Sequence, residues 1–243
     1  MLKVTTSWDD GDILDKKLAD LLTQYGIKGT FYITKTYRPE RLSESEIKTL
    51  SESHEVGAHT LTHPDLRLLA AEKLQEEIGG SKKWLEEVTQ KPVTMFCYTK
   101  GQYTPEVAKK VQENGFCGAR STILGSLISG KKFDLETTLQ VYPFPFRKID
   151  KHRYYFRKIL QPYLQRAKGL RKIGVPITAM HSWLSSSKAA FDYALKHGRV
   201  FHVWGHSWEI EKYGMWNELE KLLQYISKRQ NCEYVVNSDL VKD

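Results

Sequence analysis

Runs typical of β-strands alternate with runs typical of α-helices over most of this chain, and this alternation restricts the folds that it can adopt. Strands separated by helices are connected in parallel, so the chain is predicted as an α/β protein with a parallel sheet or a βα barrel. The first predicted strand begins at residue 2 and ends at residues 9–11. The others are residues 29–33, 55–58, 93–98, 116–121, 175–180, 200–205 and 234–236, with residues 138–142 as a further candidate. The predicted helices are residues 13–25, a short helix after a capping box at residues 43–46, and residues 70–88, 105–114, 187–197 and 215–229.

Residues 122–172 interrupt the alternation with a Gly- and Ser-rich piece, a Pro-Phe-Pro-Phe turn and a basic, aromatic segment. We predict that they form an insertion on one face of the domain, where they would cover a functional site as a lid or a substrate wall. No internal repeat or linker-like stretch indicates a second domain, so residues 1–243 are predicted to form a single domain.

Basic residues outnumber acidic ones, and the formal net charge is +8. Much of the excess lies between residues 148 and 172, where Tyr154, Tyr155 and Phe156 stand among lysines and arginines. Such a segment can bind nucleic acid, anionic lipid headgroups or an acidic glycan, or it can be a solvated helix face. No helix-turn-helix, zinc-finger or RNA-recognition signature accompanies it, so nucleic acid is not the expected partner.

The sequence contains no apolar stretch long enough for a membrane-spanning helix, and its start leads into a strand rather than a secretory leader. We therefore expect a cytoplasmic protein, with association at a membrane surface left open and the oligomeric state undetermined. The cysteines Cys97, Cys117 and Cys232 are few, widely spaced and odd in number, so we expect free thiols rather than a disulfide framework.

Polar side chains follow several predicted strands, at the ends where parallel βα folds place their functional groups. The first strand ends in the run Ser-Trp-Asp-Asp-Gly-Asp, and two carboxylates as close as Asp9 and Asp10 are costly to bury without a cation nearby. The third strand ends at His59 and is followed by His63. Further polar side chains follow at residues 98–101, 181–183 and 205–209.

A divalent metal ion would explain why carboxylates and histidines converge at these strand ends. The histidines are four residues apart, so on a helical turn both rings would face the same side. Two histidines and one carboxylate form an open metal site with room for a water molecule. The ion would neutralise one aspartate and leave the other as a base, and Gly11 would let both side chains turn toward one cavity.

Asp-Asp-Gly after the first strand, combined with His-Thr-x-x-His after the third, resembles the polysaccharide deacetylase family, which includes chitooligosaccharide and peptidoglycan deacetylases. Residues 8–11 are similar to the family's first motif, Thr-Phe-Asp-Asp-Gly, and residues 55–63 to its second. Residues 91–96 lead into the third motif, and residues 203–206 resemble the fifth. The resemblance covers nearly the whole chain and implies a distorted seven-stranded (β/α) barrel.

The resemblance implies a role for each matching residue. Asp10, His59 and His63 would bind the metal, usually zinc (Zn²⁺) in this family. Asp9 would be the general base that activates a water molecule, and His206 the general acid that protonates the leaving amine. These roles predict a metal-dependent hydrolase that removes an N-acyl group, above all N-acetyl, from an amino sugar. The basic segment is compatible with an anionic or lipid-linked substrate.

The third motif departs from the family pattern Phe-Arg-Pro-Pro-Tyr-Gly, because Cys97 stands at the arginine position. Arg120, at the next strand end, is a candidate to orient Asp9 in its place. Glu209 is the candidate acidic partner of His206. His202 and His181 compete with His206 for the role of general acid.

Substrate contacts are expected from side chains beside these motifs, and a backbone N–H near Lys100 would help to hold an oxyanion. The aromatic residues of this set would either stack on sugar rings or pack in the core, and both interpretations stay open. The predicted substrate-binding residues are Tyr98, Lys100, Arg120, Trp183 and Trp208.

Two other functions remain open at this point. The first is a hydrolase of the same fold that acts on another C–N amide bond, such as a deformylase or an amidase. The second is a glycan-binding module without catalysis, because two of the family motifs are eroded: the third at Cys97, and the fourth, which is represented only by residues 181–183. The complete set of predicted metal ligands, base and acid argues against the binding module.

Overall fold

The computed structural model describes residues 1–147 and 155–242, which form a curled sheet surrounded by helices. The strands are β1 Leu2–Asp10, β2 Gly29–Ile33, β3 Glu55–Ala58, β4 Met95–Cys97, β5 Gly118–Arg120, β6 Gly130–Lys131, β7 Asp134–Leu135, β8 Leu139–Gln140, β9 Val200–Gly205 and β10 Cys232–Tyr234. The helices are α1 Asp15–Gln24, α2 Glu44–Ser53, α3 Ala71–Thr89, α4 Pro105–Glu113, α5 Tyr155–Lys172, α6 Trp183–His197, α7 Ser207–Tyr213 and α8 Trp216–Ile226.

The strands are paired in the order β6-β7-β5-β4-β3-β2-β1-β9-β8, and β10 pairs with the start of β1. The pairs are parallel except for β6 with β7. Parallel pairing follows from helical connections, which return the chain to the same end of the sheet before each new strand. The α/β fold with a parallel sheet or a βα barrel, predicted from the alternation of strands and helices, is therefore confirmed.

The segment 134–140 brings the two edges of this sheet together. Leu135 pairs with Arg120 of β5, whereas Thr138, three residues later, bonds through its backbone N–H to the carbonyl of His202 in β9. The prediction that residues 122–172 are an insertion on one face therefore needs correction, because β6, β7 and β8 belong to the sheet itself. The candidate strand at residues 138–142 is present as the shorter β8. Residues 148–154, the first part of the predicted basic segment, lie outside the described residues.

The strand predicted at residues 175–180 is absent, and that segment instead connects α5 to α6 through a 3-10 turn at Ile177–Ala179. Val175 and Met180 are buried and anchor the connection, which explains the apolar run that suggested a strand. α6 begins earlier than predicted because the Ser182 side chain caps it, accepting a hydrogen bond from the backbone N–H of Ser185.

The helices cover the sheet with apolar side chains at helical spacing. α8, for example, buries Leu219, Leu222, Leu223 and Ile226 on one side. α3 is continuous through Gly79 and Gly80. These glycines allow close packing, because a Cβ at Gly79 would lie 2.6 Å from the Asn114 side-chain oxygen. None of the described helices is long and apolar enough to cross a membrane.

Candidate active site

The two aspartates at the end of β1 reach the same cluster of side chains, although neighbouring side chains in a regular strand point to opposite faces. The backbone leaves the extended conformation here, with φ of 87° at Asp10 and 75° at Gly11. A Cβ at Gly11 would lie 2.7 Å from the Ile33 side chain, so only glycine fits. The predicted turn of both carboxylates toward one site is confirmed, and the unusual backbone begins at Asp10 itself.

His59 and His63 lie on the loop after β3. The predicted helical turn is wrong, because Thr60 and His63 have positive φ values of 70° and 60°. The two rings meet nevertheless, with centroids 4.9 Å apart. Glu77 of α3 holds the loop, since its carboxylate accepts hydrogen bonds from two loop backbone N–H groups at 2.8 and 3.0 Å and from the Thr62 hydroxyl at 2.6 Å.

Asp10, His59 and His63 together offer three ligand atoms to one ion. Among the described residues, Asp10 Oδ1 has no hydrogen-bond partner although it is buried, and it lies 3.7 Å from Nε2 of each histidine. Two tetrahedral ligands, each about 2.1 Å from a zinc ion, are about 3.4 Å apart, which is close to these separations. The residues present therefore fit a divalent metal ion.

The protonation of the two histidines suits metal binding. Nδ1 of His59 lies 2.8 Å from the carbonyl oxygen of Cys97. Because a carbonyl only accepts hydrogen bonds, Nδ1 carries the proton and Nε2 presents its lone pair toward Asp10. Burial lowers the pKa of His59, and burial together with the nearby His59 ring lowers the pKa of His63 to about 4. Both imidazoles are therefore neutral near pH 7, the form that binds metals.

A second group, Asp9, His59 and Cys97, also has ligand atoms within 4.8 Å of one another. It is the poorer metal site, because the Asp9 carboxylate already accepts a hydrogen bond from Arg120. Burial also raises the pKa of the Cys97 thiol well above its usual value, and a protonated thiol is a weak ligand. The group of Asp10, His59 and His63 is the better candidate.

Asp9 forms a buried ion pair with Arg120, which lies at the end of β5. Nη2 of Arg120 donates to Oδ1 of Asp9, and the Cys97 thiol lies 3.8 Å from the other carboxylate oxygen. Burial raises the pKa of Asp9, but the Arg120 charge, assisted by His59 and His206, holds it below its ordinary value. The predicted contact between Arg120 and Asp9 is confirmed, and Asp9 is an ionised acceptor suited to taking a proton.

Replacing Arg120 with Met should leave a buried, unpaired carboxylate at Asp9. We expect the variant to lose about 3–5 kcal/mol of unfolding free energy, the usual cost of breaking a buried ion pair. Urea unfolding followed by circular dichroism measures this loss. Lys109→Met, which replaces an exposed cation of α4, should change the unfolding free energy by less than about 0.5 kcal/mol. Equal stability of the wild type and Arg120→Met would contradict a structural role for the pair.

His206 follows β9, and its ring lies between two carboxylates. Its Nδ1 lies 2.7 Å from Glu209 Oε2, and its Nε2 lies 3.9 Å from Asp10 Oδ2. Burial lowers the pKa of His206, but the hydrogen bond to Glu209 and the neighbouring aspartates raise it to about 9. The ring is therefore protonated near pH 7 and can donate from Nε2, and the predicted contact with Glu209 is confirmed.

The two histidines that competed with His206 lie elsewhere. His202 is fully buried, its Nε2 lies 2.8 Å from the Ser7 hydroxyl, and burial lowers its pKa to about 3. His181 is exposed just before α6, and its Nδ1 lies 2.8 Å from the carbonyl oxygen of Thr178. Of the three histidines, His206 is the one that lies beside Asp10.

Three of the residues expected to contact substrate are buried, so that expectation needs correction. Tyr98 and Arg120 have no exposed surface, and Trp183 is 5% exposed. Tyr98 stacks on Tyr103, and the indole N–H of Trp183 donates to a backbone carbonyl of β8. All three therefore serve packing or positioning. For Tyr98 and Trp183, core packing was the alternative that the sequence left open.

Lys100 and Trp208 are the two members of the predicted set that keep access to solvent. Lys100 is exposed, has φ of 57° and lies 3.8 Å from the Asp65 carboxylate. The backbone N–H groups of Gly101 and Gln102 bond to backbone carbonyls, so the oxyanion donor expected near Lys100 stays a prediction.

The structure adds a positioning contact that the sequence did not indicate. The indole N–H of Trp208 donates to Asp10 Oδ2 at 2.9 Å, which orients the carboxylate and leaves Oδ1 toward the histidines. The Arg38 guanidinium lies 4.6 Å from the Trp208 ring centroid and pairs with Asp12. The sequence also did not indicate that Glu77 holds the loop after β3. Neither Trp208 nor Glu77 belongs to a spacing pattern typical of metal ligands.

The chain is similar in sequence to known polysaccharide deacetylases. Residues 3–119 match the family described as polysaccharide deacetylase. The chain is 30% identical over 115 residues to a peptidoglycan-N-acetylglucosamine deacetylase from Bacillus cereus, covering 46% of this chain and 53% of that one. It is 32% identical over 80 residues to a chitooligosaccharide deacetylase from a Bradyrhizobium species, covering 31% of this chain and 35% of that one. The matches thus span about half or less of these relatives.

The fold is also similar to solved structures over almost the whole chain. A structure described as a polysaccharide deacetylase from Mycobacterium smegmatis aligns with a TM-score of 0.69, covering 99% of this chain and 88% of that one. The sequence identity is 12%, so this likeness concerns the fold alone.

Proposed function

Because residues 3–119 match the polysaccharide deacetylase family, we propose that this protein is a metal-dependent hydrolase that removes the N-acetyl group from an amino sugar of a glycan or a glycan precursor. One observation carries the proposal: an ionised aspartate, a metal-compatible group of Asp10 with two histidines, and a protonated histidine lie together at the ends of β1, β3 and β9. Amide hydrolysis needs these three functions at one place. We also propose that residues 1–243 act as one catalytic domain.

Asp10, His59 and His63 would hold the metal ion, and zinc is our choice because two imidazoles and a carboxylate are typical zinc ligands. The bound ion supplies Lewis acidity, which polarises the acetyl carbonyl and lowers the pKa of a water molecule. Trp208 and the Cys97 carbonyl keep the ligands oriented through the hydrogen bonds described above.

Asp9 would accept the proton of the attacking water. Its carboxylate stays ionised because of Arg120, and its position next to the metal ligand Asp10 brings it to the reacting centre. His206 would donate its Nε2 proton to the sugar nitrogen when the C–N bond breaks, which matters because an amine anion is a poor leaving group. Acetate and a free amino sugar are the products.

The test measures acetate release by zinc-loaded protein from N-acetylated chitooligosaccharides and from peptidoglycan. Formate release from N-formylated sugars is measured in parallel. We expect acetate in proportion to bound metal, with about one ion per chain by elemental analysis. Release of formate alone from N-formylated sugars would replace deacetylation with deformylation. Metal-loaded protein that binds these glycans and releases no acid would overturn the hydrolase and favour a binding module.

Glu209→Gln should separate the charge of Glu209 from its hydrogen bond. Loss of the negative charge lowers the pKa of His206 from about 9 toward its ordinary value, so the ring deprotonates at lower pH. Because the protonated ring is the acid, the alkaline limb of the pH profile should shift to lower pH. We also expect kcat to drop about tenfold or more. The pH profile of kcat tests this. An alkaline limb at the wild-type position would contradict the assignment of His206.

A further inference from the structure

The outward side of α5 exposes apolar side chains between basic ones. Leu160, Tyr163 and Leu164 are 41%, 38% and 70% exposed, and their spacing of three and four residues places them together on the helix. Basic side chains flank them toward both ends of the helix. We call this surface the α5 outer face. It consists of Leu160, Tyr163 and Leu164 together with the exposed cations Arg157, Lys168, Arg171 and Lys172.

The opposite side of α5 is fixed to the barrel, so the orientation of the outer face is determined. Pro162, on the far side of the helix from Leu160 and Leu164, and Leu170 are buried. Gly169 packs against the loop before β6, where a Cβ on Gly125 would lie 2.7 Å from the Gly169 Cα. Arg166 donates to the Gln140 side chain, which in turn contacts Glu209, the partner of His206. The inner side of α5 therefore abuts the candidate active site.

The charge of α5 is of one sign. Residues 155–172 contain no aspartate or glutamate, and the basic members are Arg157, Lys158, Arg166, Lys168, Arg171 and Lys172. A further apolar side chain lies beside the helix, because the backbone N–H of Arg147 bonds to the Ile159 carbonyl and Phe146, its neighbour, is 56% exposed. The surface thus combines cations with aliphatic and aromatic groups.

This combination is typical of helices that lie in the interface of an anionic bilayer, where leucines enter the acyl boundary and cations meet the headgroups. A nucleic acid would be met by cations and stacking aromatic rings, and an acidic glycan offers no apolar layer for Leu160 and Leu164. We propose that the α5 outer face docks this protein on an anionic membrane surface. If the proposed deacetylation is correct, docking brings the active site close to glycans attached to lipids.

The proposal is tested by co-sedimentation with vesicles of phosphatidylglycerol and phosphatidylcholine, compared with phosphatidylcholine alone. We expect the wild type to bind the anionic vesicles, with binding that weakens as salt screens the charges. Leu160→Gln with Leu164→Gln should weaken binding more than about tenfold, since two leucines no longer enter the lipid. Lys168→Gln with Arg171→Gln should weaken it at least about tenfold, at about 1 kcal/mol per cation and 1.4 kcal/mol per tenfold.

Leu68→Gln is the matched control, because Leu68 is 82% exposed on the loop after β3 and should leave vesicle binding unchanged. Leu164→Gln alone serves if the double leucine variant unfolds, which circular dichroism reports. Equal binding to both vesicle types, or wild-type binding by both α5 variants, would overturn the proposal. Tight binding to RNA or duplex DNA without vesicle binding would overturn it as well. The assay needs no turnover, so it is independent of the proposed function.

Discussion

Asp10→Ala is expected to remove both the bound metal and the activity. Asp10 supplies the only carboxylate among the three proposed ligands, and its Oδ1 lies 3.7 Å from each histidine nitrogen. Changes to residues that merely orient a metal ligand cost about 10–100-fold in affinity, so loss of the ligand itself should cost more than about 100-fold. Metal titration followed by isothermal calorimetry measures the affinity, and acetate release measures the activity.

Two further variants make the result specific to the site. Trp208→Phe removes the hydrogen bond to Asp10 Oδ2 and keeps an aromatic ring, so its metal affinity should be intermediate, about 10–100-fold below that of the wild type. Asp20→Ala removes an exposed carboxylate of α1 and should bind metal normally. Retention of about one ion per chain by Asp10→Ala would show that the metal lies elsewhere, and the group of Asp9, His59 and Cys97 would become the candidate.

Much of the fold could be predicted from local patterns because each pattern has a local cause. β2 and β3 were predicted with the bounds that they have, since short apolar runs limited by turn residues leave little freedom. The capping box at Ser43 and Glu46 is present, because both of its hydrogen bonds form within one turn. Residues 175–180 were predicted wrongly, because burial of Val175 and Met180 produces an apolar run without requiring a strand.

Closure of the barrel by residues 134–140 could not be predicted in the same way. β7 and β8 are two residues each, too short for any alternation to be visible. Their positions depend on β5 and β9, whose partners in the sheet are distant in sequence. Pairing of this kind is decided by the geometry of the whole sheet, so a short segment between two long elements appears as an insertion until its neighbours are known.

The same holds for the candidate site: its residue types could be predicted from the sequence, whereas their arrangement in space could not. Asp9, Asp10, His59, His63 and His206 could be found because strand ends and motif spacing mark them. The contact of Asp9 with Arg120 joins residues 111 positions apart, and it could only be proposed from the missing arginine at Cys97. The positive φ values at Asp10 and His63 were not foreseeable, because a side chain other than glycine adopts them only where the surrounding structure compensates the strain.

Asp9→Asn is expected to lower kcat by about 10²–10⁴-fold while metal binding stays near that of the wild type. The amide has the shape of the carboxylate but cannot take the proton of the attacking water. Asp9 is not one of the proposed ligands in the group with Asp10, so the ion should stay bound. Acetate release and metal content, measured on the same preparation, separate the loss of the base from the loss of the metal.

The same substitution leaves the Arg120 guanidinium buried without its counter-charge, and misfolding could imitate a catalytic loss. The double variant Asp9→Asn, Arg120→Met removes both charges and should recover most of the unfolding free energy, because replacing a whole buried pair with uncharged groups costs far less than breaking it. Its activity should remain as low as that of Asp9→Asn. A stable double variant with near wild-type kcat would show that Asp9 is a structural anion for Arg120 and that another group takes the proton. A stable double variant that binds metal and does not turn over would identify the charge of Asp9 as the base.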